Sequence, residues 1–567
     1  MNERELYKQW IENATEDKEV AEELIKIKED DEAVKDRFYR NLAFGTGGLR
    51  GVIGAGTNRM NIYTVRKASQ GLADYLNEEF ERPSIAIAYD SRKNSRQFAR
   101  AAAEVFAQNG IKVFQYETLM PTPMLSFAVR HLGCSAGIVV TASHNPAKYN
   151  GYKVYGPDGC QITLDAAEKI TGYIERKDIF RDIHTGNFDT FLNEGKIRYI
   201  GRDTIDAYFD AVRSYSVFED GGDIRIVYTP LNGTGLKPVL RILNETGFQT
   251  ITVVPEQEEP DENFTTCPYP NPEEKAALQL GLELCAKTGA DLLLGTDPDC
   301  DRVGAAVRQD GNYVLINGNQ MGVLLFDFVC AMRKKYGTMP ENPVAVKTIV
   351  TTEMAQSIAD QYGVQLKNVL TGFKFIGEQI GLLEENGEAD RYVFGFEESY
   401  GYLSGTHARD KDAVNAAMLI CEMASYYRQQ GKTLADRLNE LYLEHGYFYD
   451  KLESFTFEGA DGMLHMAELM KSLRIDSITE LGGAKVVKVS DYLASVEKSE
   501  RETKKIDLPK SDVMGYSLAG GSSVVVRPSG TEPKIKVYYS LKCPNEENAS
   551  KLYAAVSADI HKILGVG

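Results

Sequence analysis

The sequence predicts an α/β fold: three related α/β domains with mainly parallel mixed sheets, plus a smaller C-terminal α+β domain, around a central cleft. Three observations predict it. Short apolar strands alternate with helical stretches, one strand–helix–strand pattern occurs three times, and that pattern stops near Tyr449. Length agrees, because 567 residues exceed what one ordinary core organises.

Each repeat opens on an apolar strand: "IAIAY" from Ile85, "IRIVY" from Ile224 and "VAVKTI" from Val344. A helical stretch follows and ends at Gly110, Gly247 or Gly363, residues suited to a left-handed C-terminal cap. A second strand starts directly after each glycine. A third strand comes later: "AGIVV" before Thr141, "DLLL" before Gly295 and "RYVF" before Gly395. Each third strand runs into a polar loop, "TASHNP", "GTDPDCDR" or "GFEESYG", and ligands of parallel α/β sheets gather at such carboxyl ends. The expected domains are 1–202, 203–316, 317–446 and 447–567, the last holding "GSSVVVRPSGTEPKIKVYYS" and a final helix. The acidic amino-terminal stretch has a helical rhythm, does not read as a signal peptide, and is expected to pack across the first domain.

A net charge of −18 argues against nucleic acid or an anionic membrane as the main partner, though not against a small anionic substrate. Eight cysteines without a CxxC pair favour reduced thiols and a cytoplasmic setting. The most apolar stretch, Met321 to Met332, is short and contains Asp327, so no membrane span is expected.

The loops carry the chemistry. Ser143 stands beside His144, but chain neighbours seldom form a nucleophile–base pair. "DPDCDR" sets Asp297, Asp299 and Asp301 at alternate positions, so three carboxylates can converge on a hard cation such as Mg²⁺. "FGTGGLRG" offers backbone amides and Arg50 to an anion, and a structural turn fits it equally. "RPSGTEPKIKV" gathers Arg527, two hydroxyls, a glycine backbone and two lysines, a set suited to a phosphate dianion. "GFEESYGYLSGTHARDKDA" offers Glu397 and Ser399 to sugar hydroxyls, with Arg409 and Lys411 able to hold another anion. Together these loops point to phosphoryl transfer on a sugar phosphate, with Ser143 as the phosphate carrier.

Four ordered motifs, "TASHNP", "DPDCDR", "FEESYG" and "RPSGT", closely resemble those of the α-D-phosphohexomutase superfamily and span almost the whole chain. The resemblance implies that Ser143 is the phosphoserine and that Asp297, Asp299 and Asp301 hold Mg²⁺ together with its phosphate. It implies Lys153 as general acid/base, a role for which a depressed pKa is expected, with His144 and Arg50 in support. Thr371, Gly372 and Lys374 lie in the implied specificity loop "TGFKF". Glu397 and Ser399 match the sugar contacts, and Arg302, Arg409 and Lys411 would be further substrate cations. Arg527, Ser529, Gly530 and Thr531 match the clamp for the distal phosphate. The loop reads DPDCDR where many members have DGDGDR, and Phe396 replaces a small residue.

The implied reaction interconverts glucose 1-phosphate and glucose 6-phosphate through glucose 1,6-bisphosphate, with pentose or mannose phosphate as alternative substrates. A metal-dependent sugar phosphatase and a non-catalytic sugar-phosphate sensor are the readings from other classes. The expected partners are small sugar phosphates, and the expected state is a monomer or weak homodimer.

Overall fold

The computed structural model describes residues 2–219, 222–457, 462–475, 478–529 and 534–566. The chain forms two compact units, one of Met1–Ile316, Gly377–Ala389 and Gly401–Gln430, the other of Asn317–Ile376, Asp390–Tyr400 and Gly431–Gly567. Residues of the expected third domain are therefore shared between the units.

The repeat is present as one parallel kernel built three times. In each, the first strand lies between the second and the third. Strand Ser84–Tyr89 lies between Lys112–Gln115 and Ala136–Val140. Ile226–Thr229 lies between Ile251–Val253 and Leu292–Thr296. Val344–Thr348 lies between Gln365–Val369 and Tyr392–Glu397. The predicted glycines all have positive φ, 78° at Gly110, 92° at Gly247 and 68° at Gly363, where a β-carbon would be strained. Helix and return strand are thus joined by one inexpensive left-handed residue.

Two of the polar loops turn the third strand back on itself. Ala136–Val140 returns antiparallel as Tyr149–Tyr155, with Val139 opposite Lys153, and Leu292–Thr296 returns as Val303–Gln309, with Thr296 opposite Val303. Strand Gly48–Val52 extends the first sheet, setting Gly48 opposite Lys153 and Arg50 opposite Gly151. Directly paired residues share a face. Arg50 and Lys153 therefore stand on one side of the sheet, each facing a glycine that leaves room for a long cation.

The first core continues into the amino-terminal helices Glu3–Asn13, Lys18–Lys26 and Asp31–Phe38. Trp10 is fully buried, in edge-to-face contact with Phe38, Tyr63 and Phe180. These helices pack on the first domain, as expected. In the second unit, Tyr447–Thr456, Lys534–Cys543, Ser523–Pro528, Met514–Leu518, Ala484–Asp491, Val496–Ser499 and Thr503–Lys505 form, in that order, an antiparallel sheet. Helices Gly462–Ile475 and Glu546–Leu564 bury Met470, Val556 and Ile560 against it. This is the α+β domain. No helix among the described residues is long and apolar enough to cross a membrane.

Within the first unit, buried Glu422 on helix Ala413–Gln429 accepts the amides of Val217 (2.9 Å) and Phe218 (3.1 Å). Burial pushes its carboxyl from the ordinary 4.5 up to about 7. Since the folded value is raised, its stabilising contribution is full below about pH 4.5 and is lost as pH rises through about 7. Glu422→Gln, which keeps an acceptor oxygen, is expected to flatten that loss. Denaturant melts at pH 5 and 8 should show a smaller difference in the variant, and an unchanged difference would contradict the assignment.

Candidate active site

The Ser143 turn is held from behind by charge. The Ser143 backbone is left-handed, with φ of 53°, which a non-glycine residue adopts only under constraint. Its amide donates to Thr141 Oγ1 (2.8 Å), and the Thr141 hydroxyl donates to Asp90 Oδ2 (2.6 Å). The Arg92 guanidinium, buried and paired with Asp90 at 3.2 Å, donates to the carbonyls of Ser143, Asn145, Pro146 and Tyr149. One buried arginine thus gathers three carbonyls of the loop and that of Tyr149, the first residue of the return strand.

The front of the turn faces the aspartates. Ser143 Oγ donates to Asp297 Oδ2 at 3.0 Å and lies 3.2 Å from His144 Nδ1. Carboxylate oxygens of Asp297, Asp299 and Asp301 lie within 4.8 Å of one another, all three residues being buried. The turn carrying them is tightened by Asp297 Oδ1, which accepts the amides of Asp301 (3.1 Å) and Arg302 (3.0 Å). Cys300 takes φ of 51°, a left-handed backbone that glycine adopts more readily than a residue with a β-carbon. Lys153 Nζ lies 2.9 Å from Asp299 and 3.6 Å from Asp301, and Lys411 Nζ lies 3.2 Å from Asp301. Thr122 donates to Asp299 Oδ2 at 2.9 Å.

The electrostatics follow from this crowding. Burial, then the neighbouring carboxylates, pushes Asp297 well above the usual range. Burial would raise Asp299 too, but Lys153 outweighs it and holds this carboxyl down. Burial would lower Lys153, yet Asp299 and Asp301 overcome it and hold the ammonium above its ordinary value. The expected depression of Lys153 is therefore absent, because carboxylates rather than cations are its nearest charges. Burial, with Arg302 and Arg50, keeps the His144 imidazole far below its usual pKa, so it is a neutral hydrogen-bonding group.

A divalent cation fits the residues present. Asp299 Oδ1 and Asp301 Oδ1 are buried without a hydrogen-bond partner among the described residues, a costly state that a hard cation relieves.

The other predicted residues separate. Arg302 pairs with Glu273 at 2.7 Å. Lys411 also pairs with Asp410 at 2.9 Å, and Asp410 accepts the Tyr155 hydroxyl at 2.7 Å. Arg409 requires correction: its side chain is fully buried, paired with Glu384 at 2.7 Å and bonded to the Thr406 carbonyl, so it has no face for substrate. In the second unit, Glu397 accepts the Gly372 amide at 3.0 Å, joining the turn at Glu398–Tyr400 to the bend at Thr371 and Gly372; Lys374, expected in a loop, lies in the first turn of helix Phe373–Glu385. Ser399 lies half-buried in that turn, and the Lys374 ammonium lies 5.3 Å from the Phe375 ring centroid. Arg527 lies at the end of strand Ser523–Pro528, opposite Lys536, and the Ser529 amide donates to the Lys534 carbonyl at 2.7 Å. Gly530 and Thr531 lie outside the described residues. Buried Tyr538 is held protonated mainly by burial, then by Glu398, while it hydrogen-bonds Arg527.

Sequence reasoning missed Asp90, Arg92, Thr122 and Tyr538. The "YDSR" that follows the strand Ser84–Tyr89 was the available signal, since it too lies at a strand's carboxyl end.

Family models for the phosphoglucomutase/phosphomannomutase domains match in order: α/β/α domain I over residues 41–180, domain II over 206–311, domain III over 317–445 and the C-terminal domain over 483–557. A phosphoglucomutase of Staphylococcus saprophyticus is 36% identical over 555 residues, covering 96% of this chain and 98% of its own. The chain belongs to the phosphoglucomutase/phosphomannomutase family. A second family relative, a phosphoglucomutase of Staphylococcus aureus, is 39% identical over 526 residues, covering 92% and 94% of the two chains. The fold is also that of the exocytosis-sensitive phosphoprotein pp63/parafusin, a phosphoglucomutase of Paramecium, in its open form. The TM-score is 0.66 at 18% identity, over 93% of this chain and 95% of that one.

Mn²⁺ titrated calorimetrically into the protein is expected to bind at one site and release protons, as ligands shared with lysines and protons are freed. Asp299→Ala should abolish that heat. Retained binding in this variant would place the ion elsewhere.

Proposed function

We propose that this protein interconverts glucose 1-phosphate and glucose 6-phosphate through a phosphorylated Ser143 and a glucose 1,6-bisphosphate intermediate, using Mg²⁺. The observation that carries the reading is the Ser143 hydroxyl directed at a buried aspartate cluster, 3.0 Å from Asp297. Glucose as the sugar is supported by relatives named phosphoglucomutase at 36–39% identity over most of the chain.

The sugar hydroxyl oxygen attacks the phosphorus of phospho-Ser143. The bond from phosphorus to Ser143 Oγ breaks as the bond to the sugar oxygen forms. One proton passes, net, from the sugar hydroxyl to Oγ, and Lys153 Nζ is the group that relays it. Held as an ammonium by Asp299 and Asp301, Lys153 acts first as the acid and is reprotonated from the hydroxyl. The other phosphate of the bisphosphate then returns to Oγ by the reverse steps. Asp297, Asp299 and Asp301, together with the Ser143 phosphate, would hold Mg²⁺, which when bound would neutralise charge on the transferred group. Lys411, Arg302 and Arg50 add positive charge, and neutral His144 orients the serine hydroxyl. Glu397 and Ser399 would hold sugar hydroxyls, Thr371, Gly372 and Lys374 would set sugar specificity, and Arg527 with Ser529 would hold the distal phosphate. The domain limits proposed with this reading are 1–202, 203–316, 317–446 and 447–567. The cysteines are free thiols, seven of them buried, which suits the cytoplasm, with the chain a monomer or weak homodimer.

A coupled assay with trace glucose 1,6-bisphosphate and Mg²⁺, run on glucose, mannose and ribose phosphates, tests the reading. Turnover is expected to be fastest on glucose 1-phosphate, with little phosphate released. Ser143→Ala should lower it by at least about 10⁴-fold while retaining sugar-phosphate binding. An unaffected rate would refute the carrier role, and net phosphate release would indicate a phosphatase.

A further inference from the structure

A second cavity lies behind the loops described above. It measures about 1260 Å³, within the first unit, and is lined by helix Ser95–Gln108 on one side and helix Leu236–Glu245 on the other. Ser143, Lys153 and the three aspartates do not line it. It is therefore separate from the proposed site of phosphoryl transfer.

Both helices begin at this cavity without a capping side chain. Their N-cap residues are Asn94 and Gly235, neither of which bonds a first-turn amide through its side chain. The amides of Arg96, Gln97, Leu236 and Lys237 also lack a backbone acceptor among the described residues. Uncapped helix starts present N–H groups and a positive partial charge, the arrangement that receives an anion.

Independent evidence comes from the buried hydroxyls. Thr234 lines the cavity and is 2% exposed, yet its Oγ1 has no hydrogen-bond partner among the described residues, and neither does the Oγ of half-buried Ser91 beside it on the lining. A buried hydroxyl with no partner is an expense that a bound oxyanion removes.

The charges distinguish two free cations from two engaged ones. Arg100 is paired with Asp189, and Arg241 with Asp206 and Glu245. Arg96 and Lys237 line the cavity, are exposed and form no ion pair among the described residues. Tyr89, Met120, Phe209 and Pro238 give the rest of the lining an apolar character. Exposed carboxylates at Glu117, Glu259 and Glu262 set an upper limit on the charge such a cavity accepts.

From these observations we propose a second ligand site, for a monophosphate ester with an apolar body. The phosphate sits at the two helix starts between Arg96 and Lys237 and accepts from Thr234 Oγ1, while the apolar body lies along Met120 and Phe209. A polyphosphate is disfavoured by the lining carboxylates. The position has meaning for the reaction centre, because Arg92, which lines the cavity, holds the Ser143 carbonyl, and the Thr234 amide holds the Pro298 carbonyl at 2.8 Å. An occupant touches the back of both loops.

Phenyl phosphate, titrated calorimetrically into the full chain, is the test, and none of its arms depends on mutase turnover. One site is expected in the wild type, with phenol giving no heat. Arg96→Gln combined with Lys237→Gln should weaken it about tenfold or more, with thermal melts confirming that the variant is folded. Thr234→Val should weaken it by a smaller factor, and Arg527→Ala should leave it unchanged. Absence of binding in the wild type, or an affinity unchanged by the Arg96/Lys237 pair, would overturn the proposal. Heat lost in Arg527→Ala but kept in that pair would assign the binding to the distal phosphate clamp instead, overturning it equally.

Discussion

Three buried carboxylates within 4.8 Å of one another are the constraint around which the first unit is arranged. Isolated charges of one sign cannot be buried together without compensation, since each pays a desolvation penalty and repels the others. The compensating cations come from separate parts of the chain. Lys153 arrives on the return strand of the first hairpin, while Lys411 arrives on the segment before helix Ala413–Gln429. Folding of these distant segments and neutralisation of the cluster are one event. A cluster so balanced is stable enough to exist and still keeps two carboxylate oxygens unsatisfied, which is the condition for taking up a metal rather than merely surviving without one.

Behind the cluster, a second buried charge performs a different task. Arg92 donates to the carbonyls of Ser143, Asn145, Pro146 and Tyr149 and sets its charge against Asp90. The left-handed residue at Ser143, of a kind that costs on the order of 1–3 kcal/mol, is over-determined by that grip. The metal loop reaches a comparable turn at Cys300 with the Asp297 carboxylate accepting two amides of its own loop. Two loops of similar shape are thus pinned by opposite charges, one by a guanidinium and one by a carboxylate.

The parallel kernels were legible because strand, helix and glycine signals are local. Each kernel needs an apolar run, a helix and one left-handed residue, and all of these lie within about forty residues of one another. Ser143 and the aspartates were legible because alternating acidic residues and a serine loop sit at strand ends. What escaped depends on partners far along the chain. Arg409 reads as an available cation until Glu384 is found against it, and Lys153 reads as a depressed base until two carboxylates are found beside it. Asp90 and Arg92 looked like ordinary polar loop residues, because nothing local indicates that four carbonyls from residues 143–149 close over them. The shared membership of residues 317–446 in two units is likewise a property of packing, invisible to a pattern that follows the chain.

The pairing of Val139 with Lys153 places the Ser143 turn inside a hairpin whose two arms are locked in register, with Gly48 opposite the same lysine on the far side. Side chains along a strand alternate between faces, so a shift of one position would carry Lys153 to the opposite side of the sheet. Register, rather than loop length, is what fixes the lysine. A slip of one position would put Tyr152 or Val154 in its place, and a slip of two would keep the face but carry the lysine about 6–7 Å along the strand, away from the aspartates. Residues added between the arms leave the chemistry intact only if the loop absorbs them and the ladder stands still.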